Sequence, residues 1–343
     1  MIRHLLAGCL ALGCLVAGET ALPPHQGTVV LAERSFAGVW ITSESTDGVV
    51  HTLDDKKDSP PTTTSRGRYL RVDYVRPNEV AWIRADLAAA KGEWAVALTN
   101  FAEAAIRSRE SNYTRESAFI RWAEAGVQAG KPEETLKALD GLLEAFPKSI
   151  HQPQALYLRG QGLVKKGDTA GALKAYTELA GKADWGLEAT ALGSLGLAEL
   201  STAGQKPDAA AKVLAAVFVK LDPIAQADLF SKVGTALTTA QQAATQNDAA
   251  VATLRRLAYG SADPTARARA QFTWAKLLMA GGESNLFAAL DQALIAMHTR
   301  GADGTVTATA EALARQLVGK IDKLPEAQAS NELKAEYRRY LSR

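Results

Sequence analysis

Side chains able to do chemistry are few in this sequence, and they are poorly grouped. The five histidines, His4, His25, His51, His151 and His298, have no metal-ligating neighbour three or four positions away. No His-Glu-x-x-His occurs either. Each is read as a surface or partly satisfied histidine. Gly193-Ser194-Leu195-Gly196 superficially resembles the turn that presents a hydrolase serine. It lacks the Gly-x-Ser-x-Gly spacing and the preceding strand which that strained turn requires, so its small residues are read as permitting close helix packing. There is no Gly-x-x-x-x-Gly-Lys phosphate loop and no dinucleotide fingerprint. Asp54-Asp55 and Glu133-Glu134 are adjacent acids, suited to solvent or to a helix dipole. General acid–base work needs carboxylates facing one another across a cleft. A deep pocket between opposed acids would be the mark of an envelope hydrolase, the third functional class carried forward. No cofactor and no metal site is expected.

Both cysteines, Cys9 and Cys14, lie in an N-terminal segment with a polar start at Arg3 and His4, an apolar run over Leu5 to Val16, and small residues at Ala17-Gly18. That is the build of a secretory signal over 1–18, with Glu19 as the new terminus. The run is too short for a membrane span, which needs roughly 20 apolar residues. Leu6-Ala7-Gly8-Cys9 and Ala11-Leu12-Gly13-Cys14 resemble the lipobox of bacterial lipoproteins. A lipid anchor at Cys14 or Cys9 is therefore the one membrane attachment considered. Cleavage after Gly18 would leave a chain without cysteine, hence without disulfide or thiolate chemistry. The expected location is periplasmic or secreted.

The 343 residues are 47% hydrophobic but only 6% aromatic. Much of the apolar content is alanine, the best helix former and small enough to let helices approach. The net charge of +2 supplies no global field for nucleic acid or an anionic membrane. Basic residues are not interleaved with the six tryptophans as single-strand binding favours, so no nucleic acid partner is expected.

The elements that would position any site fall into two textures. Residues 19–77 carry short β-branched runs: Thr28–Leu31, Phe36–Thr42, Val49–Leu53 after an Asp47-Gly48 turn, and the alternating Tyr69–Val75,. Asp54–Arg66 reads as a long polar loop. Trp40, on a strand, suits a barrel core or an aromatic groove. From residue 78 helix takes over, and one phrase recurs: a Gly-centred turn, then a helix with a small residue inside. It is seen at Gly92 with Ala97 and Phe101, at Gly130 with Thr135 and Leu139, at Gly167 with Ala172 and Tyr176, and at Gly204 with Ala209 and Val213. The inner residues are separated by 38, 37 and 37 positions, the period of a solenoid of helical hairpins. Weaker pairs cover Ala225–Tyr259 and Thr265–Met297. Residues 298–343 read as capping helices, the last starting near Pro325 with Leu333, Tyr337 and Leu341 on one side.

These hairpins resemble tetratricopeptide-type repeats. Gly92, Trp94, Ala97, Phe101 and Ala104 fit every position of that second-helix pattern, Gly167, Ala172 and Tyr176 fit in the third hairpin, and Gly130 and Pro147 in the second. The resemblance is good over 78–220 and runs on to 297. The order of strands before it resembles a small SH3- or Sm-like barrel, with a three-stranded meander as the alternative. The expected fold is therefore mainly α: a TPR-like α-solenoid preceded by a small all-β domain. What the resemblance implies is a non-enzymatic scaffold binding a protein or peptide on the concave face of the array. Counted from each turn, first-helix positions facing that side are Trp82 and Asp86, Glu124 and Gln128, and Tyr157, Gln161 and Lys165. The other tryptophans, Trp94 among them, are read as inter-helix packing. The second functional reading makes the β domain a ligand-binding or docking module and the helices a spacer.

Overall fold

The computed structural model describes residues 22–341 apart from 32, 33, 46, 55, 57, 58, 66, 67, 69 and 70. The expected targeting segment with Cys9 and Cys14 lies outside the described residues, as do Thr46 and the first two residues of the Tyr69–Val75 run.

The β-branched runs form β1 (His25–Val30), β2 (Ser35–Ser45), β3 (Gly48–Thr52) and β5 (Arg71–Tyr74). A further strand, β4 (Thr62–Ser65), arises inside the stretch expected to be a loop. Its threonines are β-branched, which suits an extended edge, and they pair with β3 at Val49↔Thr64 and His51↔Thr62. All pairings are antiparallel, and the sheet order is β4-β3-β2-β1-β5. Among the described residues β4 and β5 do not pair, so hydrogen bonds leave the sheet open. At Val80 the chain leaves the sheet and starts a helix, and the Glu79 side chain caps the backbone N–H of Ala81. Alternation buries Val29, Val39, Ile41 and Val49 as the sheet's own small core.

Fourteen helices follow in the described residues. The hairpins are α1 (Val80–Ala90) with α2 (Trp94–Arg107), α3 (Asn112–Gln128) with α4 (Pro132–Ala145), and α5 (Gln152–Lys166) with α6 (Thr169–Gly181). They continue with α7 (Leu187–Ala203) and α8 (Pro207–Phe218), α9 (Ala227–Ala243) and α10 (Asn247–Gly260), and α11 (Pro264–Ala280) and α12 (Leu286–Met297). The last pair is α13 (Gly304–Ile321) and α14 (Asn331–Leu341). Pro132, Pro207 and Pro264 open their helices, where a missing N–H costs nothing,. The final helix starts later than expected because Pro325–Ser330 forms turns and Ser330 Oγ accepts from Leu333 N.

Five hairpin turns are one device, the Schellman cap. A left-handed residue stands at Gly92, Gly130, Gly167, Gln205 and Thr245. The N–H after each reaches back five residues, as in Glu93 to Ala88, Lys131 to Gly126, Asp168 to Leu163, Lys206 to Ser201 and Gln246 to Gln241, at 2.8–2.9 Å. Five residues beyond the left-handed position a small side chain is fully buried: Ala97, Thr135, Ala172, Ala210 and Ala250. The fourth phrase thus sits one residue later than expected. Ala210 and Leu214 are inside, in place of the expected Ala209 and Val213.

The small residues on α5 and α7 do what packing requires. A side chain at Gly196 or Gly160 would come closer than 3.0 Å to the Tyr176 ring, and one at Gly193 would come as close to the Ala180 backbone. Ser194 lies mid-helix, not on a strand–helix turn. Neighbouring first helices also touch directly, α3 with α5, α5 with α7 and α7 with α9. That closer approach puts them on the inner side of the array's curve.

The sheet is docked on α3. The rings of Tyr74 and Tyr113 stack at 3.6 Å and 10°. His25 bridges the two parts, with Nε2 2.6 Å from the Val75 carbonyl and Nδ1 3.0 Å from Ser111 Oγ. Ser45 pairs with Ser149 as an isolated bridge, and Lys148 donates to Asp47 at 2.8 Å.

Candidate partner-binding groove

A groove of about 1030 Å³ lies on the first-helix side. Its walls come from α2 (Trp94), α3 (Arg121, Glu124, Val127, Gln128), α5 (Gln154, Tyr157, Leu158, Gln161) and α7 (Leu187, Glu188, Leu192, Leu195). A single 3₁₀ turn, Ala183–Trp185, and the start of α9 complete it. Val127, Leu187, Leu192 and Leu229 are each half-buried, packing downward while leaving apolar surface in the groove. Aromatic bodies with polar tips, here Trp94, Tyr157 and Trp185, are the residues that anchor partners most effectively.

Of the positions counted from the turns, Glu124, Gln128, Tyr157 and Gln161 line this groove. Glu124 accepts from Arg121 at 2.9 Å and from Gln154 at 2.6 Å, so its carboxylate is held in place. Tyr157 donates to Glu199 at 2.6 Å. Burial and the Glu199 charge both push the Tyr157 phenol well above its ordinary range, which keeps it a neutral donor,. Burial likewise raises Glu199, opposed by the hydrogen bonds from Tyr157 and Gln161. Gln128 is exposed.

Three positions lie elsewhere. Trp82 is 7% exposed and meets Phe101 edge-on at 5.4 Å, so it is core rather than an exposed anchor. It shares the inward stripe of α1 with Ala81, Ala85 and Ala88. Asp86 accepts from the Trp82 indole at 3.0 Å and pairs with Arg76 at 2.7 Å and Arg121 at 3.4 Å. It ties α1 to α3 and to the segment leaving the sheet. Lys165 is exposed outside the groove.

Counting along first helices missed Trp94, Trp185, Asp184 and the α9 wall. Trp94 does pack on the core but is only half-buried. For Trp185 the available signal was its neighbour Gly186, which adopts φ 87° and places the tryptophan in a connection instead of a helix.

A second, smaller cavity of about 50 Å³ lies at the seam of sheet and array. Glu44 and Glu116 both line it, with Tyr74 donating to Glu44 at 2.7 Å and Ser149 to Glu116 at 2.6 Å. Burial pushes Glu116 up to about 7, with the Glu44 charge adding and Ser149 opposing. Two acids do meet here, but the space suits a water or two rather than a substrate. Two histidines are more buried than expected: His25 bridges the seam, and His51 is 1% exposed with its pKa lowered by burial. Burial also holds His151 down to about 4, while His298 is exposed. No group of three or more His, Cys, Asp or Glu able to hold a metal occurs among the described residues. None of the described helices is long and apolar enough to cross a membrane.

No protein-family model and no curated protein matches the chain. Among solved structures it is similar to a thermophilic TPR protein of Thermus thermophilus, at 16% identity over 58% of this chain and 98% of that one, with a TM-score of 0.40. It is also similar to the C-terminal part of a TPR repeat-containing protein from Cytophaga hutchinsonii, at 13% identity over 75% and 98%, with a TM-score of 0.36. A tetratricopeptide repeat protein from Parabacteroides merdae gives 16% identity over 68% and 97%, with a TM-score of 0.28. The chain is a mainly α, TPR-like solenoid preceded by a five-stranded antiparallel sheet.

Proposed function

We infer that this protein is a non-enzymatic interaction scaffold of the cell envelope that takes an extended segment of a protein partner in the first-helix groove. The observation that carries the reading is the groove itself. It is large and built on rigid helices, and half-buried aromatics and leucines stand among charged and amide side chains along its walls. Such surface left open on a folded chain marks a binding site. Helices fixed by five identical caps hold the anchors at set spacings, so little conformational entropy is lost on binding. Placement in the envelope rests on the N-terminal apolar run and its small-residue cleavage site, and a lipid anchor at Cys14 or Cys9 would tether the chain there.

A photo-crosslinking residue at Gln128, inside the groove, should capture a partner in the native envelope. The same residue at Leu173, exposed on α6, should not. Equal capture from both positions, or capture from Gln128 unchanged by Tyr157→Ala with Leu192→Ala, would refute the reading. The sheet as an independent ligand module is less supported, because it is docked on α3 and its seam cavity is only about 50 Å³.

A further inference from the structure

The geometry points to a basic partner segment: an extended stretch of about eight residues carrying lysine or arginine, its cation seated at Asp184, Trp185 and Glu188. The inference rests on the groove being the binding site and specifies what fills it.

Charge is the first ground. The charged residues lining the groove are Arg121 and Lys232 against Glu124, Asp184, Glu188 and Asp228, a net of −2 on a chain whose overall charge is +2. Both cations are already paired. Arg121 reaches Glu124 at 2.9 Å and Asp86 at 3.4 Å, and Lys232 reaches Asp228 at 2.8 Å. Asp184 and Glu188 are different. Both are exposed, and among the described residues neither has an ion pair or a side-chain hydrogen bond. They flank Trp185 on the 3₁₀ turn and the first turn of α7. Two acids at helix starts would by themselves only complement the local dipole.

Trp185 is the second ground. Its ring already attracts a cation from within the chain, with Lys182 Nζ 5.0 Å from the centroid. With Lys182 the one cation beside Asp184 and Glu188, the turn keeps a net charge of −1 next to an aromatic ring, which suits a further ammonium or guanidinium,. An acidic segment would instead meet like charge along the groove, at a cost that disfavours it.

Shape gives the length. The walls run from α3 through α5 and α7 to α9, three steps of about 9 Å between packed helices. An extended chain rises about 3.3 Å per residue, so about eight residues span the groove. Apolar positions between the cations would rest on Leu187, Leu192 and Val127.

The test uses the full chain and three fluorescent nine-residue peptides with the same leucines, alternating with lysine, with serine or with glutamate. The lysine peptide should bind at least tenfold tighter than the serine peptide, and the glutamate peptide weakest. Raising salt from about 50 to about 300 mM should erode that preference. Asp184→Asn with Glu188→Gln should weaken the lysine peptide about tenfold and leave the serine peptide unchanged. Neither residue has a structural partner, so folding should survive, which circular dichroism checks. Asp184→Lys with Glu188→Lys should turn the preference toward glutamate. Equal binding of all three peptides, or no loss in the neutralised variant, overturns the inference while leaving the groove reading standing. If no peptide binds, or if Tyr157→Ala alters none of the affinities, the groove reading fails and this inference with it.

Discussion

Gln205 and Thr245 hold φ of 56° and 58°, a region that costs an L residue roughly 1 kcal/mol or more and glycine almost nothing. Gly204 stands one position before Gln205 and adopts φ −80°, so the chain passes over an available glycine. Burial explains the choice. The observed register buries Leu214 to 1% exposure and leaves Val213 half-buried. Fully burying a leucine is worth about 2 kcal/mol, more than the strain at Gln205. The strain is therefore recoverable. Gln205→Gly and Thr245→Gly should each stabilise the protein by about 0.5–1 kcal/mol, seen as a higher urea midpoint at unchanged slope. The glycine's greater freedom in the unfolded chain offsets part of the gain. A lower midpoint in both variants would show that the left-handed turns are not strained.

At the scale of elements, the informative contact is between the sheet and α3. Glu116 on α3 faces Glu44 from β2, Tyr74 from β5, His25 from β1 and Tyr113 from its own helix around one small cavity. Its folded pKa of about 7 lies above the ordinary 4.5. Between those values the folded chain holds a proton that the unfolded chain has lost, so unfolding free energy falls as pH rises. The stabilisation is fully present below about 4.5 and gone above about 7. Its size is on the order of 1–3 kcal/mol. Glu116→Gln keeps an acceptor for Ser149 and removes the charge. It should flatten the stability profile across that window and raise stability at pH 8, measured by urea unfolding at pH 5 and pH 8. A variant with the same slope as the parent would place the titrating group elsewhere.

For the whole molecule, the array's two ends are finished differently. Near the N-terminal end the sheet packs on α3 and on the α4–α5 connection. The C-terminal end is closed by α14, whose Tyr337 donates to Asp291 at 3.2 Å and whose Arg338 pairs with Asp322 at 2.7 Å. Buried Lys334 reaches the Leu324 carbonyl at 2.7 Å. Beneath lie Leu313, Leu317, Ile321 and Leu324. A capping helix of this kind turns an apolar side to the repeat beneath it and a polar side outward. A chain stopped after Ser330 should lose roughly 2–4 kcal/mol from the α11–α13 region and bind a hydrophobic dye, while the α1–α4 core of Phe101, Leu139 and Leu142 keeps its hydrogen-exchange protection. Uniform loss of protection from end to end would contradict this nearest-neighbour behaviour.

The sequence by itself determined the helices, their pairing and most of their buried faces, because each hairpin is a local object. Gly92, Gly130 and Gly167 set the turns, and Ala97, Thr135 and Ala172 had to fall inside five residues later. The first strands were legible for the same reason, by alternation. Tertiary structure decided what local pattern leaves open. The register of the fourth hairpin was set by burial of Leu214 from outside the turn. Trp82 was drawn inward by the stripe it shares on α1. The polar threonines of β4 became a strand only because β3 offered an edge. Above all, the groove joins Trp94, Tyr157, Trp185 and Lys232, far apart in the chain, through the stacking of successive first helices. No repeat period locates Trp185, since it stands in a connection, and only the curve of the array brings it opposite the others.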